Sequence, residues 1–247
     1  MRLPMVTGLA DAPNGGVEPR LSVIVPTLNE GDHLPRLLSD LSAIPASHEV
    51  IVVDGGSGDR TTDIARTARA IVIDGPAGRG SQLRRGAESA RAPLLCFLHA
   101  DIRLSTDAVE LLASLAHDPP AAACVFRLRI DSPGMAYRII ERGANLRTRA
   151  VGLPYGDQGL IVGRPAYEAV GGYPPIPLME DVVLARALRS SAGIRLLPAS
   201  VLVSARRWER DGPVRRTVKN LTLLARFLTG TPPERLVRRY GPKTSRR

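Results

Sequence analysis

Short apolar segments alternate with segments of helical spacing between residues 21 and 116, and this alternation restricts the folds that the chain can form. The predicted strands are 21–26, 49–54, 70–73 and 93–98. The predicted helices between and after them are 30–43, 60–69, 80–91 and 106–116. Because the strands are apolar on both faces and rich in β-branched residues, they are typical of a parallel sheet with helices on both sides. We therefore predict an α/β fold with a mostly parallel sheet.

The alternation weakens after residue 120. The remaining predicted elements are a strand over 121–130, helices over 134–149 and 182–189, and strands over 194–197 and 201–204. Segments 152–159 and 171–180 are rich in Gly and Pro, which predicts loops. The second half of the sheet is therefore less regular than the first.

The positive charge is concentrated at the C-terminal end. The chain has a formal net charge of +10, and residues 206–247 account for all of it, with 13 Lys and Arg against three acids. A protein that binds nucleic acid with its main surface spreads basic residues over that surface. Residues 1–205 are neutral as a whole, so we expect no nucleic-acid partner.

The composition also indicates the cellular compartment of the protein. Cys96 and Cys124 are the only cysteines and both lie in apolar segments, which excludes a disulfide framework and favours a reducing compartment. No apolar run is long enough to predict a transmembrane helix, and residues 1–20 lack the apolar core of a signal peptide. We expect a cytoplasmic protein whose residues 1–20 form a flexible leader.

The basic C-terminal extension, residues 209–247, predicts an amphipathic helix. Its apolar side comprises Val214, Val218, Leu221, Leu224, Ala225 and Leu228. Its basic side comprises Arg215, Lys219 and Arg226, and Leu223 and Phe227 add apolar surface behind. Two interpretations remain open: the helix packs on the body, or it lies on an anionic membrane surface, where residues 235–247 add attraction.

In open α/β sheets, ligands bind beyond the carboxyl ends of the strands. Segments 26–30, 54–59 and 99–101 occupy such ends. Asp54-Gly55-Gly56-Ser57-Gly58-Asp59 is either a plain strand-to-helix turn or part of a nucleotide pocket. No dinucleotide fingerprint and no P-loop is present. His99-Ala100-Asp101 is either a polar strand end or a site for a divalent cation.

Two interpretations remain open for each of several later residues. Acids at Glu180-Asp181 favour a helix N-terminus, but Asp181 also suits a general base that takes a proton from a hydroxyl. The segment around Asp157 and Gln158 is either a turn or a substrate-facing loop. Arg79, like Arg207, is either solvated or paired with phosphate. Trp208 either packs under the sheet edge or stacks beside a sugar ring.

In this order, the motifs closely resemble those of the family-2 glycosyltransferases of GT-A fold, over about residues 21–208. The motifs are Pro26-Thr27-Leu28-Asn29-Glu30, Asp54-Gly55-Gly56-Ser57-Gly58-Asp59, Gly78-Arg79-Gly80, Leu98-His99-Ala100-Asp101, Glu180-Asp181 and Arg207-Trp208. The third and fourth look most like a small bacterial subgroup, the radical-SAM/selenodomain-associated transferases. The resemblance implies a GT-A domain over 21–208, followed by the basic extension.

The resemblance also implies a reaction and roles. The family transfers a sugar from a nucleoside-diphosphate sugar, usually a UDP-sugar, to an acceptor hydroxyl by inverting, metal-dependent displacement. The implied donor-binding residues are Pro26, Thr27, Glu30, Asp54, Gly56, Arg79, His99 and Asp101. Asp101 is the implied ligand of Mn²⁺ or Mg²⁺, with His99 as a second candidate, and Asp181 beside Glu180 is the implied base. Asp157, Gln158, Arg207 and Trp208 are placed on the acceptor or diphosphate side.

Two positions depart from the family pattern. His99 stands where the family has the first acid of an Asp-x-Asp motif, which leaves the ribose contact unassigned. Ser204 replaces the Gln of the processive Gln-x-x-Arg-Trp motif, so we expect a non-processive enzyme. The acceptor is unknown; a lipid-linked acceptor would suit a chain that docks on the inner face of the cell membrane.

Two other functions compete with this one. A sugar-1-phosphate nucleotidyltransferase shares a similar sheet, but it normally has a Gly-rich, basic loop after its first strand, where this chain has Pro26-Thr27-Leu28-Asn29-Glu30. A non-catalytic protein would use the basic extension to bind membrane or nucleic acid.

Overall fold

The structure is a computed structural model that describes the backbone of residues 18–240 and the side chains of residues 18–237. The predicted leader, 1–20, therefore lies almost wholly outside the described residues. The strands are β1 (Leu21–Thr27), β2 (His48–Asp54), β3 (Ile71–Asp74), β4 (Leu94–Phe97), β5 (Ile102–Leu104), β6 (Ala123–Asp131), β7 (Leu160–Gly163) and β8 (Ile194–Ser204).

The helices separate and follow these strands. They are α1 (Leu34–Ser42), α2 (Thr61–Thr67), α3 (Arg79–Ser89), α4 (Thr106–His117), α5 (Met135–Val151), α6 (Arg164–Ala169), α7 (Glu180–Ser191), α8 (Arg206–Asp211), α9 (Pro213–Leu228) and α10 (Pro233–Tyr240). A single 3₁₀ turn, Gly156–Gln158, precedes β7.

The eight strands form one sheet in the order β3-β2-β1-β4-β7-β6-β8-β5. Strand β1 pairs in parallel with β2 and β4, and β2 pairs in parallel with β3. The pairs β4–β7, β6–β7 and β5–β8 are antiparallel. The predicted α/β fold with a mostly parallel sheet is confirmed. The elements from β1 to α4 follow in the predicted order, with β5 as an additional strand.

Helices cover both faces of the sheet. Leu34, Leu37, Leu38 and Leu41 of α1 are spaced three and four residues apart and are buried against one face, as this periodicity predicts. Helices α3 and α7 cover the other face, with Leu83 and Leu184 in its core. This double cover explains why β1 and β2 are apolar on both sides.

The sequence did not predict β5, β7, α6 or α8. Strand β7 has only four residues and follows a Gly-rich loop, so its pattern is too short to distinguish from that loop. Strand β8 is one strand of eleven residues where two were predicted. In the sequence, Pro198 suggests a turn between two strands. In the structure it lies within β8, where the register of the β6–β8 pairing shifts between Val125 and Arg127.

The C-terminal extension packs on the body. Leu223 and Leu224 of α9 and Leu236 of α10 form a small core with Met179 and Val182 at the start of α7. The sequence placed Leu224 on the same side as Val214 and Leu221, but the structure buries Leu224 beside Leu223. None of the helices between residues 18 and 240 combines the length and the apolar composition of a membrane span.

The contact of α3 with the sheet predicts a stability difference between two helical glycines. A Cβ at Gly86 would lie 2.3 Å from Cγ2 of Ile24 and 3.0 Å from Cγ2 of Val53, whereas a Cβ at Gly143 in α5 meets nothing within 4 Å. We expect Gly86→Ala to lower the free energy of unfolding by ~1–3 kcal/mol through overpacking. Gly143→Ala is the control and should raise it by ~0.5–1 kcal/mol. Urea unfolding measures both, and equal shifts would contradict the packing.

Candidate active site

Two turns at the carboxyl ends of β1 and β2 are joined by reciprocal hydrogen bonds. The backbone amide of Asn29 donates to Oγ of Ser57 at 2.8 Å, and Oδ1 of Asn29 accepts from the amide of Gly58 at 2.8 Å. The amide of Glu30 donates to Oγ1 of Thr61 at 3.0 Å. Asn29 adopts a positive φ of 54°, which its short polar side chain tolerates. These bonds hold the two predicted donor-binding segments against each other.

Both carboxylate oxygens of Asp54 accept hydrogen bonds from the protein. Oδ1 accepts from Oγ1 of Thr27 at 3.0 Å and from Oγ of Ser57 at 2.5 Å. Oδ2 accepts from the amides of Gly56 at 3.0 Å and Ser57 at 2.7 Å. Asp54 therefore shapes the turn, and a contact with a base would compete with these four hydrogen bonds. The space at Gly56 is open, because a Cβ there would meet nothing within 4 Å.

Gln82 of α3 connects the carboxyl ends of β1 and β2. Its Nε2 donates to the carbonyl oxygens of Thr27 and Val53, both at 2.8 Å. The side chain is buried, so these bonds form away from water. Pro26 is half-buried beside Val53 in the same ladder.

Arg206, at the start of α8, joins two of the predicted site residues. Its Nη2 donates to Oε2 of Glu30 at 3.0 Å and to Oδ2 of Asp101 at 3.1 Å. Nη2 of Arg207 lies 3.8 Å from the same oxygen of Asp101. Since Glu30 follows β1 and Asp101 follows β4, the two arginines fix α8 to the carboxyl end of the sheet.

The carboxyl group of Asp101 is buried, with 6% of its side chain exposed. Burial alone would raise its pKa, but neighbouring charges outweigh this effect and lower it. In order of effect these neighbours are Arg207, His99, Arg206 and His33. Asp101 is therefore held as a carboxylate, the form that binds a divalent cation.

The N-terminus of α7 presents the predicted base. Oδ2 of Asp181 accepts from the amide of Gly156 at 2.8 Å, and Oδ1 accepts from the amide of Val182 at 2.8 Å. The helix N-terminus favours a negative charge at this position. The side chain of Asp181 is 14% exposed.

Glu180 has a different role from its neighbour. Its carboxylate is almost fully buried and forms an ion pair with Nε of Arg79 at the start of α3. Nη2 of Arg79 lies 4.0 Å from Oδ2 of Asp181. Glu180 thus orients Arg79, and the pair ties the N-termini of α3 and α7 together.

A cavity of about 650 Å³, counting the space open to solvent, lies between these elements. Six predicted site residues line it: Arg79, His99, Asp157, Asp181, Arg207 and Trp208. A Cβ at Gly156 would lie 2.9 Å from Nε2 of His99 and 3.5 Å from Oδ2 of Asp181. The end of β4 and the start of α7 therefore meet around Gly156.

Asp157, which lines the cavity, has a pKa that is raised to about 6, and burial is the largest cause. Arg147 opposes this, Asp181 adds to it, and smaller effects come from Arg207 and Asp101. Because Asp101 and Asp181 both act on Asp157, all three carboxyl groups belong to one electrostatic environment. Asp54 stands apart, on the β2 side of β1.

Gln158 does not join the residues that face the cavity. It is fully buried; its Nε2 donates to the carbonyl of Phe126 at 3.1 Å, and its Oε1 accepts from Oγ1 of Thr148 at 2.7 Å. Trp208 packs in the core as one of its two interpretations predicted, and its stacking beside a sugar ring stays a prediction. Trp208 is 7% exposed and also lines the cavity.

Sequence reasoning missed several residues of this site. They are Gln82, Tyr155, Met179, Arg206, Arg216, Asn220 and Leu223. Three of them, Arg216, Asn220 and Leu223, come from α9, which the sequence had set outside the catalytic domain. Arg206 lies next to a predicted residue, but nothing in the sequence says which of two adjacent arginines faces Asp101.

The donors present fit a divalent cation that is completed by its substrate. Among the described residues, no group of three or more His, Cys, Asp or Glu side chains could hold a metal ion. Mg²⁺ is commonly bound by one or two carboxylates together with substrate phosphates. Asp101 supplies such a carboxylate, and the imidazole of His99, which lines the cavity, is close enough to act on the pKa of Asp101.

Comparison with protein families identifies the class. The sequence profile of glycosyl transferase family 2 matches residues 22–163, and the chain belongs to this family. The matched segment runs from β1 to β7, so it contains both joined turns and the His99–Asp101 triplet. The finer likeness to the radical-SAM/selenodomain-associated subgroup is not confirmed by the relatives described below.

Curated relatives share parts of the chain. An uncharacterized glycosyltransferase of Mycobacterium bovis is 34% identical over 97 residues, which cover 38% of this chain and 43% of the relative. An undecaprenyl-phosphate 4-deoxy-4-formamido-L-arabinose transferase of Serratia proteamaculans is 28% identical over 163 residues, covering 59% and 49%. The chain spans between a quarter and about half of the length of the curated relatives that it matches.

Solved structures share the fold. The mannosyltransferase PcManGT of Pyrobaculum calidifontis, solved with GDP-Man and Mn²⁺, superposes with a TM-score of 0.63 at 19% identity, covering 90% of this chain and 68% of the neighbour. TarS 1-349 of S. aureus superposes with a TM-score of 0.60 at 17% identity, covering 75% and 60%. The fold is therefore that of the GT-A glycosyltransferases, as predicted.

The raised pKa of Asp157 predicts a pH-dependent stability difference. The pKa is 3.8 ordinarily and about 6 in the folded chain, so the folded state binds more protons between these values. The free energy of unfolding should then fall as pH rises from 4 to 6, and the loss persists above 6. Asp157→Asn removes this loss. Thermal unfolding should show the variant gaining more over the native chain at pH 8 than at pH 4; a pH-independent difference would contradict the assignment.

Proposed function

We propose that the chain transfers a sugar from a nucleoside-diphosphate sugar to an acceptor hydroxyl with inversion, in single, non-processive steps. The observation that carries this proposal is that Asp157 and Asp181 line one cavity together with Arg79 and Arg207. Asp101 lies close enough to act electrostatically on Asp157. Family membership and the GT-A fold support it. Neighbours of this fold were solved with UDP-GlcNAc and with GDP-Man, and we propose a UDP-sugar as the donor.

The donor would occupy the carboxyl ends of β1, β2 and β4. The base and ribose would lie along the joined turns, near Thr27, Asp54 and Gly56, where the backbone is open to a ligand. The diphosphate would lie toward Asp101, with the guanidinium groups of Arg79 and Arg207 able to pair with phosphate oxygens. This arrangement assigns Glu30 to positioning, because its carboxylate is held by Arg206.

We propose that Asp101 holds a divalent cation, Mn²⁺ or Mg²⁺, with His99 as a second ligand. The neighbours PcManGT and glucosyl-3-phosphoglycerate synthase of Mycobacterium tuberculosis were solved with Mn²⁺. When bound, such an ion neutralises the charge that grows on a departing diphosphate. Binding of the ion would require Arg206 and Arg207 to share the carboxylate of Asp101 with it, or to turn toward the phosphates.

Asp181 is the proposed base. Its carboxylate takes the proton of the acceptor hydroxyl as that oxygen bonds to the anomeric carbon and the bond to the diphosphate breaks. Because the attack comes from the face opposite the diphosphate, the anomeric configuration inverts. The amides of Gly156 and Val182 hold the carboxylate in place, and Glu180 positions Arg79 beside it.

The acceptor would enter from the α9 side of the cavity, which combines the apolar Leu223 with the polar Asn220 and Arg216. The undecaprenyl-phosphate transferases among the relatives carry a lipid in their names, and we propose a lipid-linked acceptor here. Such an acceptor requires a membrane surface near the site. We therefore propose a cytoplasmic enzyme whose C-terminal extension contacts the inner face of the cell membrane.

Replacing the base tests the reaction. We expect Asp181→Asn to lower the rate of sugar transfer by about 10²- to 10⁴-fold, because the amide cannot accept the proton. Donor affinity should stay within about threefold, since the amide still accepts one bond from Gly156. The assay follows release of nucleoside diphosphate from a panel of nucleotide sugars with Mn²⁺ or Mg²⁺. Asp107→Asn, in the exposed first turn of α4, is the matched control, and equal rates for both variants would refute the role of Asp181.

Removing the metal ligand tests the cation site. We expect Asp101→Asn to weaken Mn²⁺-dependent binding of UDP at least about tenfold, because a carboxylate ligand is lost. Calorimetry with UDP plus Mn²⁺, and with UDP plus EDTA, measures the effect. Asp131→Asn at the exposed end of β6 is the control. The cation assignment fails if chelation leaves the affinity of the native chain for UDP unchanged.

A further inference from the structure

The exposed large apolar side chains are confined to two helices. Among the described residues, eight such side chains are between 41% and 73% exposed. They are Met135, Ile139, Leu146 and Val151 of α5, and Val214, Val218, Leu221 and Leu228 of α9. Single exposed apolar residues are common on soluble proteins, but a concentration of this kind marks an interaction surface. We refer to these eight residues and their two helices as the α5–α9 surface.

The two faces of α9 differ in their surroundings. The inner face, with Leu223 and Leu224, packs on the body. The outer face repeats apolar residues at 214, 218, 221, 225 and 228, which are spaced three or four residues apart. All five outer positions are exposed. Since α5 and α9 contact each other, the exposed residues of the two helices lie on neighbouring elements.

The charge of the two helices is strongly positive. Helix α5 contains four arginines and one acid, Glu141, and α9 contains three arginines, one lysine and no acid. Glu141 is buried and is paired with Arg138 at 2.9 Å. Arg142, Arg149, Arg215 and Arg226 are exposed. The only carboxylate of these helices is thus neutralised, and the α5–α9 surface presents cations beside its apolar side chains.

We propose that the α5–α9 surface docks on an anionic lipid membrane. Apolar side chains with arginines beside them match the boundary between acyl chains and headgroups, where the arginine stems extend toward the phosphates. Each basic residue near such a membrane adds attraction. A second copy of the chain fits less well, because a symmetric contact would bring the two cationic surfaces together. The surface extends beyond the C-terminal extension to α5 of the catalytic body.

The position of this surface relates it to the site. Helix α9 has the outer face on one side and Arg216, Asn220 and Leu223 at the cavity on the other. A lipid-linked acceptor bound at the membrane would reach the cavity around a single helix. This link to the acceptor rests on the proposed transferase function, whereas the membrane contact does not.

Vesicle co-sedimentation of the full chain tests the proposal. The vesicles contain phosphatidylcholine alone or phosphatidylcholine mixed with phosphatidylglycerol. We expect the native chain to sediment mainly with the mixed vesicles, and less as salt is added. The double variants Ile139→Asp/Leu146→Asp on α5 and Val218→Asp/Leu221→Asp on α9 should each lose at least about tenfold in partition coefficient, because two apolar side chains per variant no longer insert.

The control Thr67→Asp/Ser114→Asp adds the same charge at exposed positions of α2 and α4 and should bind vesicles as the native chain does. Circular dichroism checks that each variant is folded. The proposal is overturned if the native chain ignores both vesicles, if only the α9 variant loses binding, or if sedimentation velocity shows a dimer that the variants abolish without any vesicle binding. Asp181→Asn should lose transfer and keep vesicle binding, which separates a failure of the docking surface from a failure of the proposed enzyme.

Discussion

The buried carboxylate of Asp101 and the two arginines that face it set the arrangement of the active site. A carboxylate with only 6% of its side chain exposed is unfavourable unless cations compensate it. Arg207 and Arg206 both provide this compensation, and Arg206 also holds Glu30. The guanidinium group of Arg206 thereby fixes the end of β4, the turn after β1 and the start of α8. Helix α9 follows α8 directly, and its placement at the cavity depends on the same contact.

The cavity combines opposite charges at close range, as the proposed transfer from a diphosphate would require. Arg79 and Arg207 line it together with Asp157 and Asp181, and Nη2 of Arg79 lies 4.0 Å from Oδ2 of Asp181. The amide of Gly156 holds Asp181, and a side chain at this position would collide with His99. The glycine at this position is therefore favoured by the close approach of His99 and Asp181 rather than by an unusual backbone angle.

The sequence predicted the N-terminal half of the fold because apolar segments rich in β-branched residues alternate there with segments of helical spacing. The same regularity located Asp54, His99 and Asp101 at strand ends. It could not locate β7, whose four residues carry no readable period, or tell that Gln158 is buried while Asp157 next to it faces the cavity. Adjacent residues in a turn differ in environment only through tertiary packing, which a single sequence does not display. The role of Arg206 was hidden for the same reason.

Helix α9 shows why the boundary predicted at residue 208 divides the chain by composition but not by contacts. Its basic charge distinguishes it from the neutral body in sequence, yet its inner face completes both a small core with α7 and the wall of the cavity. The two predicted alternatives, packing on the body and lying on a membrane, assumed that α9 has only one apolar face. An amphipathic helix with a buried apolar edge and an exposed one can serve both purposes, because residues three or four apart share a face while their neighbours point elsewhere. Residues 213–228 therefore contain two apolar faces. The two faces can be distinguished only in the structure, where Leu223 and Leu224 are buried and the outer residues are exposed.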